Sequence, residues 1–386
     1  MSEISNESVV EFKPRTFQTA GPTRDPDVLP IGYAPLIRNC WYVLADINDV
    51  GRELRSLQVC GEPLVYFRSE AGVPVVLDDR CAHRRFSLSK SRLVGDTIQC
   101  GYHGFTYDQT GKCVWAPGVS VAPNFGIRHY PSAEVGPWLW VWMGNPEKAD
   151  VSKIPYPKLD PTVNWRQVHG YKWNPGNYLF MIENFFDQAH LHFLHGEAVS
   201  KMEQADTPQQ TLEVGPDALG WIKDTPSVGA GLFAGMAGGD PSKLVRVVGM
   251  DKQYGPSMNY GIEDRYAAEG DPDPLYPLRF HIFNAMTPKD LHSTHQFFQA
   301  NVSFDVVNGL DWFRDFSRDV VFQQDADAFQ SMQTAIESDF RTGTVEFGIT
   351  TDRFGMKMRK MLKEWKAAEA DDEFLSTTKS CGASGL

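Results

Sequence analysis

Two cysteines and two histidines stand in matched pairs in the first third of the chain: Cys81-Ala-His83, sixteen residues, then Cys100-Gly-Tyr-His103. Each pair runs Cys-then-His, so each can give a thiolate to one iron and an imidazole to the other iron of a [2Fe–2S] cluster. Neutral imidazoles in place of two thiolates raise the reduction potential above that of an all-Cys cluster. A Cys2His2 zinc site is the competing chemistry, but zinc spacing ordinarily separates a Cys pair from a His pair. The mixed pairs favour the cluster.

A second constellation follows about eighty residues later: Asn184-x2-Asp187-x2-His190-x4-His195. Apolar residues at 179, 182, 186 and 189 recur at helical spacing, which predicts a helix to about His190. Asp187 and His190 then share a face. His190 and His195 lie roughly 140° apart around an ideal helix, so they converge only if it ends or bends between them, and Gly196 supplies a stop. His192 falls on the far side and reads as structural. Two imidazoles and one carboxylate on one face of a mononuclear Fe(II) leave the other face for O2 and substrate. A distant carboxylate must complete such a set, and the helical stretch 312–340 offers Asp319, Asp325 and Asp327.

The strings Cys81-Ala-His83-Arg84-Arg85-Phe86 and Cys100-Gly-Tyr-His103-Gly104-Phe105 resemble the Rieske domain of the Rieske non-haem iron oxygenases, over about Trp41 to Pro117. The Asn184-to-His195 string resembles the catalytic motif of the same family, and Asp325-Ala-Asp327-Ala-Phe-Gln330 resembles its late aspartate helix. The resemblance implies an α+β chain, with an all-β [2Fe–2S] domain followed by a helix-grip catalytic domain. It implies cluster ligands Cys81, His83, Cys100 and His103, and Fe(II) ligands His190, His195 and Asp325, with Asn184 near the iron. It also implies that Asp187 bridges His103 of a neighbouring subunit to His190 of its own, in a head-to-tail homotrimer. Electrons would come from a ferredoxin or flavin-dependent reductase drawing on NAD(P)H, with O2 as co-substrate; no nucleotide-binding fingerprint is present in the chain itself.

Within that family the chain resembles single-component-type oxygenases, which include vanillate and dicamba O-demethylases and chloroacetanilide and phenylurea N-dealkylases. The implied reaction is hydroxylation of an O- or N-alkyl carbon on an aromatic substrate, with release of an aldehyde. A ring hydroxylase or dioxygenase of the phthalate or phenoxybenzoate type is the alternative, and a non-catalytic Rieske electron carrier or zinc-stabilised binding protein a third reading. Phe185, Phe186 and Phe316 are candidate pocket residues, with His281 and Asn284 as polar anchors.

The elements that must hold these groups follow from local pattern. Residues 1–36 are polar and carry five prolines, which suggests an extended arm. Short β-branched and aromatic runs then span 37–148, with hairpin signals at Ser69–Gly72 and Asp108–Gly111 and the alternating strand Trp138–Trp142. The catalytic domain is expected over 149–370. It contains strands such as Leu244–Val248 and Arg279–Phe283, a flexible apolar loop at Gly229–Gly239 that is either linker or lid, and a basic helix from Arg353 to Trp365. Residues 371–386 read as a frayed tail. A net charge of −12 argues against nucleic-acid or anionic-membrane binding. Six cysteines without a disulfide-like framework, and an amino terminus without an apolar signal region, suggest a cytoplasmic protein.

Overall fold

A computed structural model of the chain describes residues 34–118, 120–196, 199–212, 215, 217–342 and 352–375. Most of the expected amino-terminal arm and the residues beyond 375 lie outside the described residues. Ala34, where the description begins, is buried, and its backbone exchanges two hydrogen bonds with the Asn177 side chain, each 3.2 Å.

The first domain is built of ten short strands: β1 Trp41–Asp46, β2 Arg55–Val59, β3 Glu62–Arg68, β4 Pro74–Asp78, β5 Arg92–Val94, β6 Thr97–Gln99, β7 Thr106–Tyr107, β8 Cys113–Trp115, β9 Ser132–Val135 and β10 Trp138–Trp142. They form three small antiparallel sheets, β1-β10-β9, β2-β3-β4 and β5-β6-β7-β8. The expected turns close β3–β4, where Gly72 N–H donates to the Ser69 carbonyl, and β7–β8, where Gly111 N–H donates to that of Asp108.

The second domain adds β11 Arg166–Asn174, α1 Tyr178–Phe186, α2 Ala189–His195, α3 Met202–Asp206, β12 Gln210–Leu212, β13 Ala218–Gly229, α4 Gly231–Met236, β14 Leu244–Tyr254, β15 Met258–Ala267, β16 Leu278–Pro288, β17 Thr294–Val302, α5 Leu310–Phe316, α6 Phe322–Thr342 and α7 Arg353–Ala368. A π-helical turn, Ser317–Val321, joins α5 to α6. The seven strands make one antiparallel sheet in the order β11-β17-β16-β15-β14-β13-β12.

Strand alternation gives this sheet two distinct faces. On one face, Tyr260, Phe283, Ala285 and Phe297 pack with Trp41, Trp138, Trp140 and Trp142 of the first domain. On the other, Trp221, Asp251, Gly261 and Ile282 occupy directly paired positions across four strands and help to line a cavity roofed by helices. The tail is anchored rather than frayed as far as it is described. Asp372 is buried, accepting hydrogen bonds from Asn39 (3.1 Å), Asn145 (3.3 Å) and Lys148 (2.7 Å), and Leu375 is buried as well. No helix among the described residues is long and apolar enough to cross a membrane.

Candidate metal centres and the cavity between sheet and helices

The two cysteine–histidine loops share one backbone frame. Cys81 N–H donates to the Phe86 carbonyl, and Arg85 N–H donates back to Cys81. Cys100 N–H donates to Phe105, and Gly104 N–H donates back to Cys100. In both, the fourth residue after the cysteine is left-handed: Arg85 at φ 59° and Gly104 at φ 78°. The sequence shows this only in the second loop, where glycine fills the position that favours it. Both cysteines are buried, whereas His83 and His103 are exposed with ring centroids 4.8 Å apart. Two buried thiols beneath two surface imidazoles fit a [2Fe–2S] cluster with its histidine-bound iron outward. Tyr107 Oη lies 3.1 Å from Cys81 Sγ and accepts the Ala82 N–H at 3.1 Å, a contact that spacing did not reveal.

The second constellation is arranged differently from the expectation. The helix breaks before His190, at Asp187 (φ −96°, ψ 98°), and both histidines ride on the short α2, which Gly196 ends at φ 82°. An aspartate favours this break because its carboxylate competes for backbone donors, and Oδ1 of Asp187 accepts the Ala189 N–H at 2.9 Å. His190 and His195 converge with ring centroids 5.4 Å apart. Asp187 meets His190 through its main-chain carbonyl, which accepts from Nδ1, and not through its carboxylate.

Asp325, on the first turn of α6, completes the cluster: one donor atom each from His190, His195 and Asp325 lie within 4.8 Å of one another. Asp325 Oδ1 is 3.3 Å from His195 Nε2 and 3.9 Å from His190 Nε2, and accepts from Asn184 Nδ2 at 3.2 Å. His195 Nε2 is buried and has no hydrogen-bond partner among the described residues, while Nδ1 of the same ring lies 2.8 Å from Gln324 Oε1. That bond fixes the tautomer with Nε2 free as a ligand. Burial holds the His190 pKa below its usual value. Burial also opposes a charge on His195, but the neighbouring Asp325 more than offsets it and lifts that ring's pKa. Two imidazoles, one carboxylate and an unpartnered ring nitrogen fit a divalent cation. The other aspartates lie elsewhere. Asp319 pairs with Arg318, and Asp327 accepts from Gln323 on the exposed side of the helix. His192 Nδ1 lies 3.1 Å from the Ser200 carbonyl.

These three residues open onto a cavity of about 150 Å³ lined by the sheet and by α2, α4, α5 and α6. Phe185, Asn284 and Phe316 line it as expected. Phe186 and His281 do not. Phe186 turns into the core and stacks on Phe354 with ring centroids 5.9 Å apart. His281 points to the opposite face of β16 from Phe280 and Ile282, where it meets Tyr260 Oη at 2.7 Å and Asp264 at 3.2 Å. The glycine-rich segment is not a solvated linker: it lies over the apolar cavity, as a helix rather than a loop. It folds as α4, and its Phe233 and Met236 are buried in the cavity wall.

Comparison with known proteins assigns both halves. The Rieske [2Fe-2S] domain model matches residues 40–131, and the vanillate O-demethylase oxygenase C-terminal domain model matches 175–368. The chain belongs to the Rieske oxygenases of the vanillate O-demethylase type. This Rieske oxygenase chain is 35% identical over 161 residues to the toluene-4-sulfonate monooxygenase iron-sulfur subunit of Comamonas testosteroni, covering 41% of this chain and 46% of that one. It is 30% identical over 213 residues to the dicamba O-demethylase oxygenase component of Stenotrophomonas maltophilia, covering 54% and 59%. The chain thus spans about half the length of the curated relatives it matches. Dicamba monooxygenase bound to 3,6-dichlorosalicylic acid superposes with a TM-score of 0.78 at 23% identity, over 88% of this chain and 100% of that one, a likeness of fold.

Proposed function

We propose that the chain is the terminal oxygenase of a multicomponent system that oxidatively removes an O- or N-alkyl group from an aromatic compound. The observation that carries this reading is the convergence of His190, His195 and Asp325 on a largely apolar cavity, in a chain that also carries a Rieske domain. Iron at these residues would supply O2 activation, and the [2Fe–2S] cluster would supply its electrons. His190, His195 and Asp325 would hold the metal, and Asn184 steadies Asp325. The phenylalanines exclude water and keep an aromatic substrate beside the open face. Relatives named for O-demethylation of dicamba and for N-alkylformylase action on chloroacetanilides support dealkylation.

The exposed imidazoles of the cluster loops suit transfer to a second copy of the chain. Asp187 Oδ2 makes no hydrogen bond among the described residues, so it is available to His103 of that copy in a head-to-tail trimer. A ferredoxin or flavin-dependent reductase, fed by NAD(P)H, would reduce the cluster. Beyond the cluster ligands Cys81 and Cys100, the described cysteines Cys40, Cys60 and Cys113 form no disulfide among the described residues, in keeping with a cytoplasmic setting.

A single turnover tests the reading. The iron-loaded, reduced chain is mixed with O2 and a panel of methoxy- and N-alkyl aromatics, and aldehyde is assayed with all organic products. Aldehyde with dealkylated product is expected. Ring-hydroxylated product without aldehyde overturns dealkylation, and full turnover by His190→Ala overturns the oxygenase reading itself.

A further inference from the structure

One wall of the cavity carries polar groups that the metal site does not use. Asp251 on β14 is 6% exposed and lines the cavity. Its Oδ1 accepts from Asn259 Nδ2 at 2.6 Å, while Oδ2 makes no hydrogen bond among the described residues. Oδ2 lies 3.7 Å from where a side chain at Gly261 would begin, and Gly261 is itself part of the cavity wall. The glycine therefore leaves a niche beside the free carboxyl oxygen. Trp221, paired directly with Asp251 across β13–β14, also lines the cavity.

Among the described residues no cation pairs with Asp251. Among the described residues the cavity is lined by no Lys or Arg; of its other carboxylates, Asp325 belongs to the metal site and Glu263 is already paired with Arg265 at 2.5 Å. Burial accordingly pushes the Asp251 carboxyl well above the usual carboxylate range. With Oδ1 occupied as an acceptor, the proton belongs on Oδ2, which makes Asp251 a hydrogen-bond donor. A carbonyl oxygen, an acceptor with no charge, matches that donor. A carboxylate would enter a cavity with no basic side chain to receive it beyond the histidines of the metal site, and its desolvation would go uncompensated.

We propose that this cavity selects an uncharged substrate whose amide or lactam carbonyl accepts a hydrogen bond from Asp251, and that it discriminates against aromatic carboxylates. The assignment rests on the dealkylase reading and narrows it to N-alkyl amides and their cyclic counterparts. Asn259 is the positioning residue that orients the Asp251 carboxyl, and Gly261 provides the room.

Binding to the full-length, iron-loaded protein tests this without turnover. The probes are N,N-dimethylbenzamide, 4-methoxybenzoate and the N,N-dimethylbenzylammonium ion, with dissociation constants from calorimetry. The amide is expected to bind at least about tenfold tighter than either ion. Asp251→Asn, which keeps a donor, retains that preference within about threefold, and Asp251→Leu abolishes it. Tightest binding of the carboxylate, or of the ammonium ion with loss in Asp251→Asn, overturns the proposal; the wild-type series decides this even if a variant fails to fold. Turnover is read separately. Oxygen-dependent dealkylation of the carboxylate, with no preference for the amide in binding, overturns the pocket assignment and leaves the dealkylase reading standing. Amide-selective binding without oxidation of any probe supports the pocket assignment and counts against the dealkylase reading.

Discussion

Among the described residues the Asn184 side chain hydrogen-bonds the metal site through Asp325, so its replacement tests what orientation contributes. Asn184→Ala leaves the three ligands in place and frees the Asp325 carboxylate to rotate; iron affinity or turnover should fall about 10–100-fold, read from iron content and single-turnover rate on the same preparation. At the cluster, Tyr107→Phe removes the hydroxyl beside Cys81 Sγ. A hydrogen bond to a cluster sulfur favours the reduced, more negative form, so the variant's potential should drop by on the order of tens of millivolts in a redox titration. The ligands themselves were legible because a metal imposes residue types and spacing on the chain. The pocket was not. His281 and Asn284 are three apart on a strand and must face opposite ways, so they could not both be anchors. Asp251, Asn259 and Gly261 went unnoticed because a buried carboxyl and a missing side chain stand out only once neighbouring strands are paired.

At the scale of elements, the sequence conveyed strands, hairpins and long helices, and it misplaced the joints. Periodicity carried α1 through to His190 because the apolar spacing continues across Asp187, where a local side-chain hydrogen bond breaks the backbone. The glycine-rich run looked flexible by composition, yet its Phe and Met side chains have a core to enter and draw it into α4. The π-helical turn before α6 leaves no trace in hydrophobic spacing, although Ser317 and Val321 within it and Asp325 beyond it all line the cavity. The basic stretch expected to be helical from Arg353 forms α7. It is tied to α1 by Arg359, whose guanidinium donates to both oxygens of Glu183 at 2.5 and 2.7 Å. Arg359→Ala leaves a part-buried carboxylate short of this partner and should cost about 1–3 kcal/mol of stability, measured by denaturant titration.

Across the whole molecule, His295 sits at the joint between the domains. Its ring lies 2.8 Å from Tyr171 Oη and 3.2 Å from the Gln58 carbonyl of the first domain. Burial lowers its pKa from 6.5 to about 4. The unfolded chain therefore binds this proton first as pH falls. Stability from the neutral ring is complete above about pH 6.5, declines as pH drops towards 4, and is lost below that. The loss amounts to roughly 3 kcal/mol, and His295→Gln should flatten that limb of a stability–pH profile. The same joint governs truncation. A fragment starting at residue 149 would expose Tyr260, Phe283, Ala285 and Phe297 where the first domain's tryptophans now cover them, so it should be insoluble or recovered only with the first domain co-expressed.

That shared face bears on how such a chain can be inherited. Because one sheet serves the tryptophans on one side and the substrate cavity on the other, the two halves are not interchangeable parts. Recombination that traded the cluster domain for another would also have to carry the imprint of Trp41, Trp138, Trp140 and Trp142. New substrate preferences are more easily acquired by point changes on the cavity side, such as at Asp251 or Gly261, which leave the tryptophan side untouched.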